Sequence, residues 1–114
     1  MASIKPVDVN LTVYKGQAWN RNLRFTYDSG DIYDLTGCIA RAQIRARENA
    51  DKLVAEFIVG VIGVDGLISL ALTHEQTAAL LPGTYVWDLR ITKPNDQPKY
   101  WIRGKVRVIG RVTE

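Results

Sequence analysis

The sequence contains one cysteine and one histidine among its 114 residues, and this scarcity excludes several classes of site. Cys38 has no second cysteine with which to form an internal disulfide or a cysteine-built zinc site. A catalytic triad or a histidine-rich metal site would have to be assembled around His74 alone. We therefore expect no catalytic, cofactor-binding or metal-binding residues, no cofactor and no enzymatic activity.

Long apolar runs and a strong charge bias are also absent. No run approaches the roughly 20 residues that a membrane-spanning helix needs, and residues 1–10 lack the basic-then-apolar order of a signal peptide. We expect no membrane partner and synthesis in the cytoplasm. The net charge of +3 and the pI of about 9.2 are low for a dedicated nucleic-acid-binding protein but compatible with an acidic partner surface.

Short segments of alternating apolar and polar residues, separated by turn signals, dominate the chain. This pattern is typical of half-buried β-strands. Strands are predicted at residues 9–14, 18–27, 38–47, 53–60, 61–64, 67–72, 84–92 and 99–109, with a bulge at Gly60. One helix is predicted at residues 73–81, because Thr73 and Gln76 have the spacing of a capping box and Pro82-Gly83 ends the segment.

About seven to eight strands with one short helix and no βαβ spacing predict an all-β fold. We expect an antiparallel β-sandwich, either immunoglobulin-like or a small barrel. Residues 1–8 are predicted to form an N-terminal arm, and residues 9–114 a single β-sandwich domain.

Scattered polar residues have simpler interpretations than chemistry. His74 is expected to be a solvent-exposed helix residue, and Asp88 a cross-strand partner for one of the arginines. Three aspartates at intervals of three, Asp28, Asp31 and Asp34, suggest a calcium loop but lack the glycine and closing glutamate of an EF-hand, so a turn is preferred.

A stripe of basic residues is the most informative feature. In the last strand Lys99, Trp101, Arg103, Lys105 and Arg107 alternate with apolar residues, and a similar basic row follows an earlier strand. If the two strands share a sheet, one cationic face results, with an exposed tryptophan upon it. The candidate protein interface consists of Arg41, Arg45, Arg47, Trp101, Arg103, Lys105 and Arg107.

Three other interpretations of these residues remain open. The face could be a solvated surface neutralised by Asp88, Glu56 and their neighbours. It could bind nucleic acid through phosphate contacts and aromatic stacking, although the small net charge makes this the less favoured partner. A carbohydrate platform would need exposed tryptophans, and Trp19 and Trp87 fall on the apolar phase of their strands, which leaves one candidate.

Several short motifs occur in an order that resembles a known family. They are Lys15-Gly16-Gln17, Asp34-Leu35-Thr36-Gly37, Ala40-Arg41-Ala42-Gln43-Ile44-Arg45, Gly66-Leu67-Ile68-Ser69-Leu70, the helix Thr73-His74-Glu75-Gln76-Thr77-Ala78-Ala79-Leu80, Pro82-Gly83-Thr84-Tyr85-Val86-Trp87-Asp88-Leu89 and Arg103-Gly104-Lys105-Val106. The order is similar to that of small β-sandwich structural proteins of tailed bacteriophages and prophages, such as the N-terminal domain of upper baseplate proteins and short tail-associated proteins.

The resemblance implies a virion structural protein, made in the host cytoplasm, that acts by protein–protein docking. Its expected place is the tail, the baseplate or a fibre attachment point, and its expected partners are other phage structural proteins, with homo-oligomers forming on the particle. A capsid cement or decoration protein is the alternative. A nucleic-acid or carbohydrate-binding module is a further alternative from a different class.

Overall fold

The computed structural model describes residues 7–27, 29–47 and 53–110. In this part of the chain, two β-sheets pack against each other, with one short α-helix and one three-residue 3-10 helix (Gly63–Asp65) between strands. The strands are β1 (Val7–Asp8), β2 (Leu11–Tyr14), β3 (Trp19–Arg24), β4 (Ile39–Arg45), β5 (Leu53–Glu56), β6 (Ile58–Ile62), β7 (Leu67–Leu72), β8 (Gly83–Thr92) and β9 (Lys99–Ile109). The predicted all-β fold is confirmed.

The larger sheet has six strands in the order β1-β9-β8-β4-β5, with β2 also pairing with β9, and the smaller sheet has the order β3-β7-β6. Alternate side chains of both sheets point inward, as the sequence pattern predicts. Ile44, Leu89 and Val106 from the larger sheet are fully buried, as are Ile68 and Leu70 from the smaller one. These inner faces form one hydrophobic core.

The helix α1 (His74–Ala78) is shorter than the predicted segment 73–81, but its predicted capping box is present. The backbone amide of Gln76 donates to Thr73 Oγ1 at 3.1 Å, and the backbone amide of Thr73 donates to Gln76 Oε1 at 2.9 Å. Gln76 Nε2 also donates to the Glu56 carbonyl at 3.0 Å. The cap therefore joins the helix to strand β5.

The bulge predicted at Gly60 is not present. Gly60 pairs regularly with Ser69, and the interruption falls at Phe57, between β5 and β6. The Phe57 amide still donates to the Ala42 carbonyl of β4 at 2.9 Å, whereas β6 pairs with β7 of the smaller sheet. Phe57 is thus the point at which the chain passes from one sheet to the other.

The predicted N-terminal arm ends inside the larger sheet. Val7 and Asp8 form β1, which pairs with β9 in parallel, and β2 continues this pairing from Leu11↔Val106 to Tyr14↔Ile109. The larger sheet is therefore mixed, whereas an antiparallel sandwich was predicted. Residues 1–6 of the predicted arm lie outside the described residues.

A partly buried hydrogen bond fixes the link between β1 and β2. Trp87 Nε1 donates to the Val9 carbonyl at 2.8 Å, and Trp87 lies opposite Gly104 in the β8–β9 ladder. A Cβ atom at Gly104 would collide with the Val9 carbonyl and approach the Trp87 indole nitrogen to 3.1 Å. Only glycine at this position lets the first strands lie against β9.

We expect Gly104→Ala to lower the free energy of unfolding by more than about 3 kcal/mol, because the collision is with backbone that cannot move without breaking the pairing with β9. Trp87→Phe should lower it by about 1–3 kcal/mol through the unpaired Val9 carbonyl, in addition to lost packing. Urea unfolding, monitored by tryptophan fluorescence, measures both losses of unfolding free energy. Gly30→Ala is the control, because Gly30 has open space around it and the cost of its positive φ is about 1–2 kcal/mol. An equal loss in Gly104→Ala and Gly30→Ala would contradict this account.

Candidate protein-docking face

The two predicted basic rows lie in one sheet and on one face, with β8 between them. Arg41 of β4 stands opposite Arg90 of β8, while Asp88 of β8 stands opposite Arg103 of β9. These positions alternate with the buried residues, so their side chains belong to the outer face of the larger sheet. We call this surface the basic face. Its described charged residues are Arg41, Arg45, Arg90, Arg103, Lys105, Arg107, Asp8, Glu56 and Asp88.

Trp101 was predicted on this face, and that prediction is wrong. The β8–β9 register passes from Leu89↔Ile102 to Arg90↔Tyr100, so Trp101 is an extra residue in β9. Such a β-bulge reverses the alternation beyond it. Trp101 is consequently 3% exposed and contacts Phe25 and Tyr33 edge-on, while Tyr100 takes the outer position and is 54% exposed.

One feature of the sequence indicates this bulge. Tyr100, Trp101 and Ile102 are three consecutive large apolar residues, which a regular half-buried strand cannot place on one side. Two basic residues of the predicted rows also lie off this face, for different reasons. Lys99 stands opposite the core residue Ile91 and so lies on the other phase, and Arg47 lies in a bend beyond the end of β4. Arg47 therefore has no register position on the basic face.

Two of the predicted interface arginines form ion pairs within the protein. Arg41 donates to Glu56 from two of its guanidinium nitrogens, Nε to Oε2 at 2.9 Å and Nη2 to Oε1 at 3.3 Å. Arg103 Nε lies 3.4 Å from Asp8 Oδ1. The neutralisation by Glu56 that the sequence suggested is thus present at Arg41, where β4 pairs with β5. The positive charges of Arg41 and Arg103 are thus partly balanced inside the protein, which weakens their attraction for an acidic partner.

The centre of the face holds a half-buried carboxylate between cations. Desolvation raises the pKa of Asp88 above its ordinary 3.8, and Arg45 and Arg90 oppose that increase. Arg45 Nη2 also donates to Gln43 Oε1 at 2.8 Å. Arg90, which was not among the predicted interface residues, belongs to this cluster. The one carboxylate therefore offsets part of the charge of the two central arginines.

Lys105 and Arg107 form the open end of the basic face. They stand opposite Val86 and Thr84 of β8, and Arg107 stands opposite Thr12 of β2 on its other side. No carboxylate of the described residues lies within ion-pairing distance of either side chain. Both side chains are exposed. The uncompensated positive charge of the face is concentrated here.

The remaining candidates for chemistry have local structural roles. His74 is exposed, and its Nε2 lies 3.9 Å from Glu75 Oε1. Asp34 Oδ1 accepts hydrogen bonds from the amide and the hydroxyl of Thr36, and these bonds lower the Asp34 pKa. Asp31 pairs with Ser29, and Asp28 lies outside the described residues. Among residues 7–27, 29–47 and 53–110, no cluster of histidine, cysteine and carboxylate side chains has the arrangement of a metal site.

A cavity of about 390 Å³ lies beside β5, lined by Val54, Ala55, Gln76, Ala79, Leu80, Leu81 and Tyr85. Its polar groups are already engaged, because Tyr85 Oη donates to the Leu81 carbonyl at 2.6 Å and Gln76 bonds Glu56 and Thr73. The tryptophans also offer no platform for a sugar. Trp87 and Trp101 are buried, and Trp19 is half-buried against Phe57.

Comparisons with known proteins identify the class of fold. No model of a protein family matches the sequence, and no curated protein matches it. Among solved structures, 154 chains match. One of them is a chain from the structure described as "Structural basis of T cell specificity and activation by the bacterial superantigen toxic shock syndrome toxin-1", with 11% identity and a TM-score of 0.53. The match covers 88% of this chain and 92% of that chain.

No helix in the described part of the chain has the length and apolar character needed to cross a bilayer. The sheets and the matching structure give the fold class, an all-β arrangement of two packed sheets, and the similarity at this identity extends to the fold alone.

We expect Arg41→Ala to raise the pKa of Glu56 towards its ordinary 4.5, because Arg41 hydrogen bonding is the main cause that lowers it. In the native protein the stabilisation from this pair is present above the ordinary pKa of Glu56 and is lost as pH falls through the lowered one. The variant should lose that pH dependence. Carboxyl-detected NMR titration measures the pKa, and the raised pKa of Asp88 is the internal control, since Arg41 is not among its causes. An unchanged Glu56 pKa in the variant would contradict the pairing.

Proposed function

We propose that the protein is a non-catalytic docking module of a tailed-bacteriophage virion, in the tail, the baseplate or a fibre attachment point. In this role the Lys105 and Arg107 end of the basic face binds an acidic surface of a neighbouring virion protein. The observation that carries the docking role is the uncompensated charge of these two exposed side chains on a regular sheet face. The virion setting rests on the order of sequence motifs described above.

The mixed charge of the face favours a protein partner over nucleic acid. Asp8, Glu56 and Asp88 lie among the cations of the same sheet face and would repel a phosphate backbone laid across it. A protein surface can instead place its own basic groups opposite these carboxylates and its acidic groups opposite Lys105 and Arg107. Complementary charges of this kind fix the orientation of docking more than its strength.

Copies of the chain are proposed to gather on the particle, where a neighbouring protein repeats by symmetry. The alternative is a capsid cement protein that uses the same face. Quantitative mass spectrometry of purified particles of the encoding phage separates the two, because a shell needs hundreds of copies and a tail needs few. Absence of the chain from purified particles would overturn the virion proposal.

The double variant Lys105→Glu and Arg107→Glu should reduce incorporation into particles at least tenfold, while leaving the folded protein unchanged. The reversed charges would repel an acidic partner, and the two side chains have no internal partner among the described residues to lose. Incorporation is measured by mass spectrometry of particles assembled with each variant, and folding by urea unfolding of the purified chain.

Lys99→Glu is the control for a charge reversal elsewhere on β9, since Lys99 lies at the other end of the strand and away from the basic face; it changes one charge instead of two and removes the ion pair with Asp96. Normal incorporation of the double variant, or equal loss in the control, would refute the interface. If purified chain instead binds duplex DNA with an affinity that falls steeply with salt, the nucleic-acid alternative replaces the docking proposal.

A further inference from the structure

Strand β3 is an open edge of the smaller sheet. It pairs with β7 through six consecutive residues in one register, from Trp19↔Leu72 to Arg24↔Leu67, without a bulge. Among the described residues, no strand pairs with its other side. A regular edge of this length presents unpaired backbone groups and can accept an added strand.

The register shows which backbone groups face outward. The Phe25 amide donates to the Gly66 carbonyl at 2.8 Å, next to the last β3–β7 pair, so residues of the same parity in β3 point their amides and carbonyls towards β7. The amides and carbonyls of Asn20, Asn22 and Arg24 therefore point to the open side. These three residues are also exposed.

The other edges of the two sheets are obstructed. At one edge of the larger sheet, β1 and β2 are separated at Val9, whose carbonyl accepts a hydrogen bond from Trp87. At the other edge, β5 has a register shift, and its Glu56 carbonyl accepts a hydrogen bond from Gln76. Both flanks of β6 are tied, by the Phe57 amide to Ala42 and by the Leu35 amide to the Gly63 carbonyl. Strand β3 is the one regular edge that no described residue obstructs.

The charge of β3 specifies the chemistry of what it can bind. Its sequence, Trp-Asn-Arg-Asn-Leu-Arg, contains two arginines and no carboxylate, and both Arg21 and Arg24 are exposed. Neither arginine has an ion pair with a described residue. A second copy of β3 would bring like charges together, which disfavours self-pairing. An acidic strand would neutralise both arginines.

We propose that β3 is a β-augmentation site for an extended acidic segment of a partner protein. The segment adds to β3 through the outward amides and carbonyls of Asn20, Asn22 and Arg24. Arg21 and Arg24 lie on opposite faces of β3, so the segment places one acidic side chain near each of them, and its apolar side chains lie beside the half-buried Trp19 and Leu23 on the Arg21 face. This site is on the smaller sheet and does not depend on the basic face.

The test titrates the full chain with a capped peptide matched in length to β3, with glutamate at the positions that face Arg21 and Arg24 and valine at the positions that face Trp19 and Leu23. NMR should show the largest amide shifts at Asn20, Asn22 and Arg24, and isothermal titration calorimetry gives the affinity. A peptide with the same side chains but N-methylated backbone amides should bind at least tenfold more weakly, because strand addition needs those donors. Equal binding of the methylated peptide would reduce the interaction to charge and overturn the proposal.

Protein variants separate this edge from the basic face. The variant Arg21→Glu with Arg24→Glu should lose binding of the glutamate peptide at least tenfold and gain binding of a lysine analogue. The matched variant Lys105→Glu with Arg107→Glu should bind the glutamate peptide as the parent does. Shifts confined to β9 residues, with binding lost in the β9 variant, would overturn the edge site while supporting the basic face. Absence of any binding would overturn the proposal for β3 and leave the virion proposal to its own test.

Discussion

The hydrogen bond from Trp87 to the Val9 carbonyl, made across Gly104, is the contact on which the arrangement of the larger sheet depends. It holds the first strands in parallel against β9, a pairing with no local connection to stabilise it. Because β9 then has a neighbour on each side, the basic residues that it carries lie within a sheet instead of at its border. Arg103 obtains its ion pair with Asp8 in the same way.

Sequence alternation predicted most of the fold because it reports which side of a strand is buried. Ala42, Ile44, Leu89 and Val106 are in the core as expected, while Arg41 and Arg107 are outside. The same reasoning failed at Trp101, where one extra residue in β9 reverses the phase for the residues before it. A pattern with a period of two residues contains no information about the partner strand, and a bulge is a property of two strands.

The parallel pairing of β1 and β2 was beyond prediction for a related reason. Residues 7–14 pair with residues 102–109, and nothing in the local sequence indicates a contact between such distant segments. The internal ion pairs have the same origin. Whether Glu56 neutralises Arg41 depends on the β4–β5 register. This register places Glu56 opposite Gln43, which is two residues from Arg41 along β4 and on the same face. The sequence therefore identified the basic residues but not the subset whose charge is free.

The basic face and the β3 edge belong to different sheets and use different chemistry. The basic face offers side-chain charge on a surface whose backbone is already paired, so it can recognise the shape and charge of a folded neighbour. The β3 edge offers backbone hydrogen bonds and two arginines, so it suits an extended segment. Since the core separates the outer face of one sheet from the other sheet, occupancy of one surface does not block the other. A small module with two such surfaces can hold a folded neighbour and an extended segment at once.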